Sequence, residues 1–174
     1  MKKYFILLLL SPLLWSSSCQ KDDLNINRKI NGSLNGEVWE AEGAFAFNLP
    51  HGLGVDLIFS VYNKHRELRE KLLVFKVPFH LGTYPISVTT NQLKDELIGA
   101  AYRTFSHDGD VIDNRYRLYD PADNTVEITQ ANPDDNVIKG KVNATFFLHS
   151  SDIGDTDVDT IRIEDGVFEI TIRN

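Results

Sequence analysis

The alternation of apolar and polar residues, interrupted by tight-turn dipeptides, is the feature that most constrains the fold of this chain. From residue 138 to residue 148 every second position is apolar or glycine, a period of two that is typical of strands with one buried face. A glycine follows Asn or Asp at Asn35-Gly36, Asp108-Gly109 and Asp165-Gly166, and this dipeptide between two strand-like stretches is a strong signal of a β-hairpin. The sequence therefore predicts an all-β domain, either an antiparallel β-sandwich or a flattened β-barrel of about ten short strands.

The register of the first hairpin follows from its turn. If Asn35-Gly36 forms a two-residue turn, Leu34 pairs with Glu37, and the alternation gives the two strands a common apolar face. That face contains Ile30, Leu34, Trp39 and Ala41. We therefore expect Trp39 to be a core residue of the first hairpin.

The C-terminal Asp165-Gly166 dipeptide indicates another hairpin by the same reasoning. A two-residue turn there joins residues 159–164 to residues 167–173 and pairs Ile163 with Phe168.

The N-terminus has the composition of an export signal. A short basic stretch, Met1-Lys2-Lys3, precedes a twelve-residue, mostly apolar run from residue 4 to residue 15. A helix of that length spans about 18 Å, less than the ~30 Å hydrocarbon core of a bilayer, which favours a cleaved signal over a retained membrane helix. Three serines then lead to Cys19, the only cysteine. This arrangement resembles a bacterial lipobox, with serine at residue 16 where leucine is usual, and the resemblance implies lipidation of Cys19.

The residues after Cys19 resemble a second export signal. Cys19-Gln20-Lys21-Asp22-Asp23 is similar to the export sequence of Bacteroidetes surface lipoproteins, in which a lysine and paired acids follow the lipidated cysteine. The resemblance implies an outer-membrane lipoprotein that faces the cell exterior, with Lys21, Asp22 and Asp23 as export residues; a solvated tether is the alternative. The chain then divides into a signal peptide at residues 1–18, a lipidated cysteine and flexible tether at residues 19–27, and a single β-domain at residues 28–174.

Short motifs along the rest of the chain resemble those of small Bacteroidetes surface lipoproteins. They are Asn35-Gly36-Glu37-Val38-Trp39, Gly82-Thr83-Tyr84, the stretch 126–140 and Asp165-Gly166-Val167-Phe168. The group has no established catalytic residues. The resemblance therefore implies an all-β fold at the cell surface and supplies no reaction.

Composition disfavours several chemistries. The formal net charge is −7, which opposes binding to phosphate backbones, so we expect no nucleic-acid partner. Once Cys19 carries lipid, no thiol remains for a disulfide, a nucleophile or a thiolate metal site. The five histidines are scattered singly, and no glycine-rich phosphate loop or nucleophile elbow occurs. We therefore predict no cofactor and expect binding rather than catalysis.

The densest acidic run, residues 152–159, is a weak candidate for a calcium site. Asp155, Asp157 and Asp159 take the first three ligand positions of a calcium loop, but Thr160 stands where the glycine belongs. A solvated loop that protects a strand edge is the alternative, and we favour it. Asp159-Thr160-Ile161 also resembles a short acceptor sequence for Bacteroidetes O-glycosylation, which implies Thr160 as the modified residue.

The Asp108-Gly109 turn predicts a candidate ligand-binding face. Counting outward from a two-residue turn places Tyr102 opposite Arg115, with Arg117 and Tyr119 continuing the row. Aromatic rings suit sugars and arginine forks suit carboxylates, so an acidic glycan is the ligand class that fits these four residues. The alternative is that these cross-strand pairs only stabilise an exposed sheet.

These patterns lead to one functional hypothesis and two alternatives. We expect a lipid-anchored, surface-exposed binding module whose partners are the membrane, through its lipid, and a glycan or another surface protein. A barrel that carries a small apolar ligand in its lumen is the first alternative. A glycan-acting hydrolase with two carboxylates in a cleft is the second.

Overall fold

The computed structural model describes residues 29–48, 54–88, 97–120, 122–151 and 158–173. Within these ranges the chain forms ten β-strands. They are β1 (Lys29–Leu34), β2 (Glu37–Asn48), β3 (Val55–Tyr62), β4 (Leu68–Val77), β5 (Gly82–Pro85), β6 (Gly99–Phe105), β7 (Ile112–Leu118), β8 (Thr125–Asn132), β9 (Val137–Ser151) and β10 (Thr160–Arg173). The predicted lipidation and export residues, Cys19, Lys21, Asp22 and Asp23, lie outside the described residues.

Eight of the strands close into an antiparallel barrel. The ring runs β1–β2–β3–β4–β6–β7–β9–β10, and β10 pairs with β1 to complete it. The two other strands extend the sheet outside the ring, because β8 pairs with the first half of β9 and β5 pairs with β8. The predicted all-β fold is confirmed, and of the two predicted architectures the chain adopts the barrel. Closure gives every ring strand two neighbours.

The first hairpin has the predicted register. Asn35 and Gly36 have positive φ angles of 53° and 84°, as a two-residue turn between twisted strands requires. The pairs between β1 and β2 are those expected from that turn. Ile30 and Ala41 are fully buried, and Trp39 is 5% exposed. The prediction that Trp39 belongs to the core is confirmed.

Apolar side chains from all around the ring meet inside the barrel. The predicted face of β9 is buried at every second position from Ile138 to Phe146. Aromatic rings from distant strands are in contact there: the ring centroids of Phe59 and Phe168 are 5.5 Å apart, and those of Tyr102 and Phe146 are 5.9 Å apart. Side chains can fill the space inside an eight-stranded barrel, and the buried side chains of the described strands form one continuous cluster.

The turn predicted at Asp165-Gly166 is wrong. β10 continues through this dipeptide without reversing, and Ile163 and Phe168 each pair with β9 instead of with each other. Between Ile163 and Gly166 the strand carries one extra residue relative to β9, a β-bulge in which Asp165 has a φ of 50°. The Asp165 N–H donates to Asn143 Oδ1 over 2.8 Å, so the bulge leaves this donor satisfied.

β9 changes its neighbour partway along one edge. Its residues 146–151 pair with β7, and its residues 137–143 pair with β8. At the fork between these two strands, Tyr119 N donates to Thr145 O over 2.7 Å, and Thr145 N donates to Asn124 Oδ1 over 2.8 Å. Asn124 is 4% exposed. Its side chain therefore takes the place of a strand partner at this point.

Candidate functional site

A β-bulge in β7 changes the predicted register of the β6–β7 hairpin. Beyond the first pair after the turn, β7 contains an extra residue, Asp113, that has no partner in β6. The following pairs are shifted by one residue, and such a shift moves side chains to the opposite face. Tyr102 pairs with Tyr116 instead of Arg115. The predicted row that places Tyr102 beside Arg115 is therefore wrong, because Tyr102 faces the interior and Arg115 faces outward.

Tyr102 is part of the barrel interior. It is 1% exposed, and its hydroxyl donates to Glu70 Oε2 over 2.5 Å. The same carboxylate oxygen accepts a hydrogen bond from Trp39 Nε1 over 3.1 Å. Burial, and then the negative charge of Glu70, raises the pKa of Tyr102 above its ordinary value. The hydroxyl thus stays a donor, and the three side chains link β2, β4 and β6.

The register shift aligns three cations on the outer surface of the barrel. Lys71 of β4 pairs with Arg103 of β6, and Arg103 pairs with Arg115 of β7. Neighbouring strands are about 4.8 Å apart, so the three backbone positions span about 10 Å. Like charges directly opposite one another destabilise a sheet. Lys71, Arg103 and Arg115 are called the basic row below.

Few acids lie beside Lys71 and Arg103 of the basic row in the described strands. β6 and β7 contain one acid, Asp113, and it forms no ion pair with any described residue. Arg103 likewise has no ion pair within the described part of the chain. Lys71 Nζ lies 5.5 Å from the ring centroid of Phe105, which is a cation–π contact rather than neutralisation.

The opposite side of the barrel has a different arrangement of charge. Lys29 of β1 pairs with Glu42 of β2 and with Glu169 of β10, and Glu169 pairs in turn with Lys139 of β9. The signs alternate across four neighbouring strands, as the stability of a sheet favours. Sheet stability therefore does not account for three adjacent cations on β4, β6 and β7, and a surface of this kind attracts anions.

An exposed aromatic pair lies beside the basic row. Arg117 follows Arg115 on the outer side of β7 and pairs with Phe147 of β9. The rings of Tyr119 and Phe147 meet edge to face, with centroids 6.3 Å apart, and these residues are 46% and 41% exposed. Of the four predicted ligand residues, Arg115, Arg117 and Tyr119 share this outer face and Tyr102 does not.

Buried polar contacts fix the backbone that carries Tyr119. Asn124 Nδ2 donates to Tyr119 O over 2.8 Å and to Ala122 O over 3.1 Å. Tyr119 N is held by Thr145 O. Both backbone groups of Tyr119 are therefore satisfied, and the aromatic pair is attached to the rigid wall of the barrel.

Arg103, Lys71 and Phe147 are residues of this face that sequence reasoning missed. The two-residue register placed Arg103 on the core side of β6, where an unpaired charge is strongly unfavourable. An arginine on the core side of a strand indicates that the assumed register is wrong, and a bulge in β6 or in β7 corrects it.

The other predicted sites lie only partly within the described residues. Thr160 is exposed at the start of β10, and its carbonyl accepts a hydrogen bond from Asn35 Nδ2 over 3.2 Å. Asp159 is also exposed, whereas Asp155 and Asp157 lie outside the described residues. Among the residues that are described, no three His, Cys, Asp or Glu side chains converge as a metal site. The calcium and O-glycosylation sites stay predictions.

Comparisons with known proteins identify no relative of this chain. No protein-family model, no curated protein and no solved structure matches the chain. In the described ranges, no helical segment has the length and hydropathy needed to span a membrane.

Proposed function

We propose that this protein is a lipid-anchored surface module that binds an acidic glycan on the outer face of β4, β6 and β7. The observation that carries the proposal is the basic row, three adjacent cations on a chain whose net charge is −7. The exposed aromatic pair lies next to it. The anchor is Cys19, as the lipobox-like sequence predicts.

The residues of this face supply complementary contacts for an acidic sugar. The guanidinium groups of Arg103 and Arg117 are planar donors that match a carboxylate with two parallel hydrogen bonds. The rings of Tyr119 and Phe147 provide apolar surface for the sugar ring. Because these groups are near solvent, salt screens their charge over a Debye length of about 8 Å. We therefore expect an affinity that falls as the ionic strength rises.

A double substitution tests the binding face. Arg103→Gln with Arg117→Gln removes two outward cations and leaves the interior contact of Tyr102 with Glu70 intact. Hydrogen bonds to charged groups contribute about 1.5 kcal/mol or more each, so the affinity for an oligogalacturonate should fall by at least about tenfold. Isothermal titration calorimetry at low and at physiological salt measures this loss. A neutral oligosaccharide of the same length shows whether the carboxylates are required.

Arg66→Gln is the matched control for this experiment. It removes one cation where the double variant removes two, at the turn between β3 and β4, where Arg66 pairs with exposed Glu42 at 2.7 Å. A loss of binding free energy in Arg66→Gln that is half that of the double variant would mean that net charge, not the face, drives binding. Unchanged affinity in the double variant would refute the site. Relief of like-charge repulsion should also raise the melting temperature of the double variant by about 1–3 °C.

Metabolic labelling tests the anchor. In cells supplied with a tagged fatty acid, the native protein should be labelled and Cys19→Ala should not. Replacement of Lys21, Asp22 and Asp23 by alanine should keep the label but remove accessibility to protease added to intact cells. A labelled Cys19→Ala protein contradicts lipidation at this residue, and undiminished protease accessibility of the alanine variant contradicts the export signal.

A further inference from the structure

A groove of about 430 Å³ crosses β1, β10, β9 and β8 on the outer surface. The side chains of Lys29, Lys139 and Lys141 border it together with Glu169, and Val167, which is 49% exposed, supplies apolar lining. Three lysines against one glutamate make it net positive on an acidic protein. It is called the lysine groove below.

Lys29 faces two glutamates that bind other cations. Glu42 and Glu169 are its cross-strand partners. The Glu42 carboxylate binds Arg66 at 2.7 Å, and the Glu169 carboxylate binds Lys139 at 2.9 Å. Lys29 makes no ion pair among the described residues, so its charge is available to a ligand.

Lys141, on the other side of β10 from Lys29, also has a charge that is available to a ligand. It is exposed, and its cross-strand partners are Val167 of β10 and Glu127 of β8. It has no ion pair within the described strands. Lys29 and Lys141 therefore flank the strand that carries Val167, an arrangement that suits an anion with an apolar part.

The lysine groove lies where the chain enters the barrel. Lys29 is the first residue of β1 and follows Cys19 by ten positions, a length that extends at most about 35 Å. A membrane that holds Cys19 through its lipid is therefore within reach of the groove. β10, at the centre of the groove, and β6, at the centre of the basic row, are separated in the ring by β9 and β7, so the lysine groove and the basic row lie on different sides of the barrel.

We propose that the lysine groove binds the phosphate of an anionic lipid headgroup in the membrane to which Cys19 is attached. This inference rests on the proposed lipid anchor. Charge complementarity and the short reach of the tether favour a headgroup as the occupant, and Val167 contacts its apolar portion. Contact on this side turns the basic row away from the membrane, toward ligands outside the cell.

Vesicle binding tests the proposal. The mature chain from residue 19, with Cys19→Ala so that no lipid is attached, is mixed with phosphatidylcholine vesicles that contain or lack phosphatidylglycerol. Binding should require phosphatidylglycerol. A lysine near an anionic surface strengthens binding about fivefold, so Lys29→Gln with Lys141→Gln should weaken it about 25-fold. Lys64→Gln, which removes an exposed cation at the turn between β3 and β4, should weaken it less than about twofold.

Several results would overturn the assignment. The assignment fails if the Lys29 and Lys141 double variant, at the native melting temperature, binds vesicles as the unsubstituted chain does. It also fails if the chain binds equally well to vesicles of phosphatidylcholine alone. Saturable binding of inorganic phosphate in calorimetry, without binding to phosphatidylglycerol vesicles, would show that the groove takes a free phosphate instead.

The vesicle experiment is independent of the glycan proposal. The Arg103→Gln and Arg117→Gln variant should bind vesicles as the unsubstituted chain does. If that variant loses vesicle binding while the lysine variant keeps it, the basic row is the membrane contact and the headgroup assignment of the groove fails. Because the chain in this experiment carries no lipid, a failure of the anchor itself leaves the readout unaffected.

Discussion

Replacement of Asn124 by alanine should destabilise the barrel strongly, because this side chain takes the place of a strand at the fork in β9. Its Oδ1 accepts from Thr145 N over 2.8 Å, and its Nδ2 donates to Tyr119 O and Ala122 O over 2.8 and 3.1 Å. Asn124 is only 4% exposed, so its replacement by alanine removes all three hydrogen bonds inside the wall of the barrel.

The expected magnitude follows from the groups that would lose their partners. A buried N–H of Thr145 without an acceptor costs about 1–3 kcal/mol, and each hydrogen bond lost by the two carbonyls costs about 0.5–1.5 kcal/mol. We expect a loss of about 3 kcal/mol in the free energy of unfolding. A domain of this size changes its melting temperature by about 2–4 °C per kcal/mol, which gives a fall of about 6–12 °C.

Thermal and urea unfolding measure this loss, and hydrogen exchange at the Thr145 amide locates it. The matched control is Asn63→Ala at the turn between β3 and β4. The Asn63 side chain also makes three hydrogen bonds, to Glu67 and to the His65 amide, but solvent can replace them there, so about 1 kcal/mol should be lost. If Asn124→Ala is no more destabilising than Asn63→Ala, and the Thr145 amide stays protected, the reasoning about the fork is refuted.

Substitutions at three further positions test the interior. Trp39→Ala should cost about 3–5 kcal/mol, and Trp39→Phe should cost less because it loses mainly the Nε1 bond to Glu70; native-like unfolding of both would contradict the burial. Gly140→Ala should destabilise at the upper end of the about 1–3 kcal/mol range for overpacking, because the new Cβ would lie 2.1 Å from Glu127 O; a neutral result in urea unfolding would contradict this close approach. Above the ordinary tyrosine pKa of 10.0, the unfolded chain releases the Tyr102 proton while the folded chain keeps it, so stability should fall by up to about 1.4 kcal/mol per pH unit. Tyr102→Phe should lack this part of the alkaline slope, and an unchanged slope would argue against the raised pKa.

Turn dipeptides were reliable where the local chain alone decides the structure. Asn35-Gly36 forms the predicted turn because the residues on its two sides pair with each other, from Leu34 with Glu37 to Lys29 with Glu42. Asp165-Gly166 has the same sequence signal and a similar positive φ at its first residue, yet it forms a bulge within β10. The long strand β9 offers partners on both sides of the dipeptide, and this distant partner is not visible in the local pattern.

The candidate site was predictable in composition but not in register. The cations of β7 and Tyr119 were identified from sequence, but the extra residue at Asp113 reversed the faces of the facing strand. A bulge is a backbone feature set by twist and by neighbouring strands, so alternation alone does not locate it. The structure consequently replaces Tyr102 with Arg103 on the outer face, which makes that face more basic than the sequence predicted.

The seam of the barrel joins its first described strand to its last. Lys29 of β1 is opposite Glu169 of β10, whereas β1 and β2 are neighbours in the chain and can pair as soon as both have been synthesised. The ring cannot close before β10 arrives, and pairing between such distant segments is slow. Until β10 is made, the sheet that has already formed stays open at the edge of β1. An unpaired strand edge can pair with another chain, so the late arrival of β10 leaves the edge of β1 open to such pairing until the ring closes.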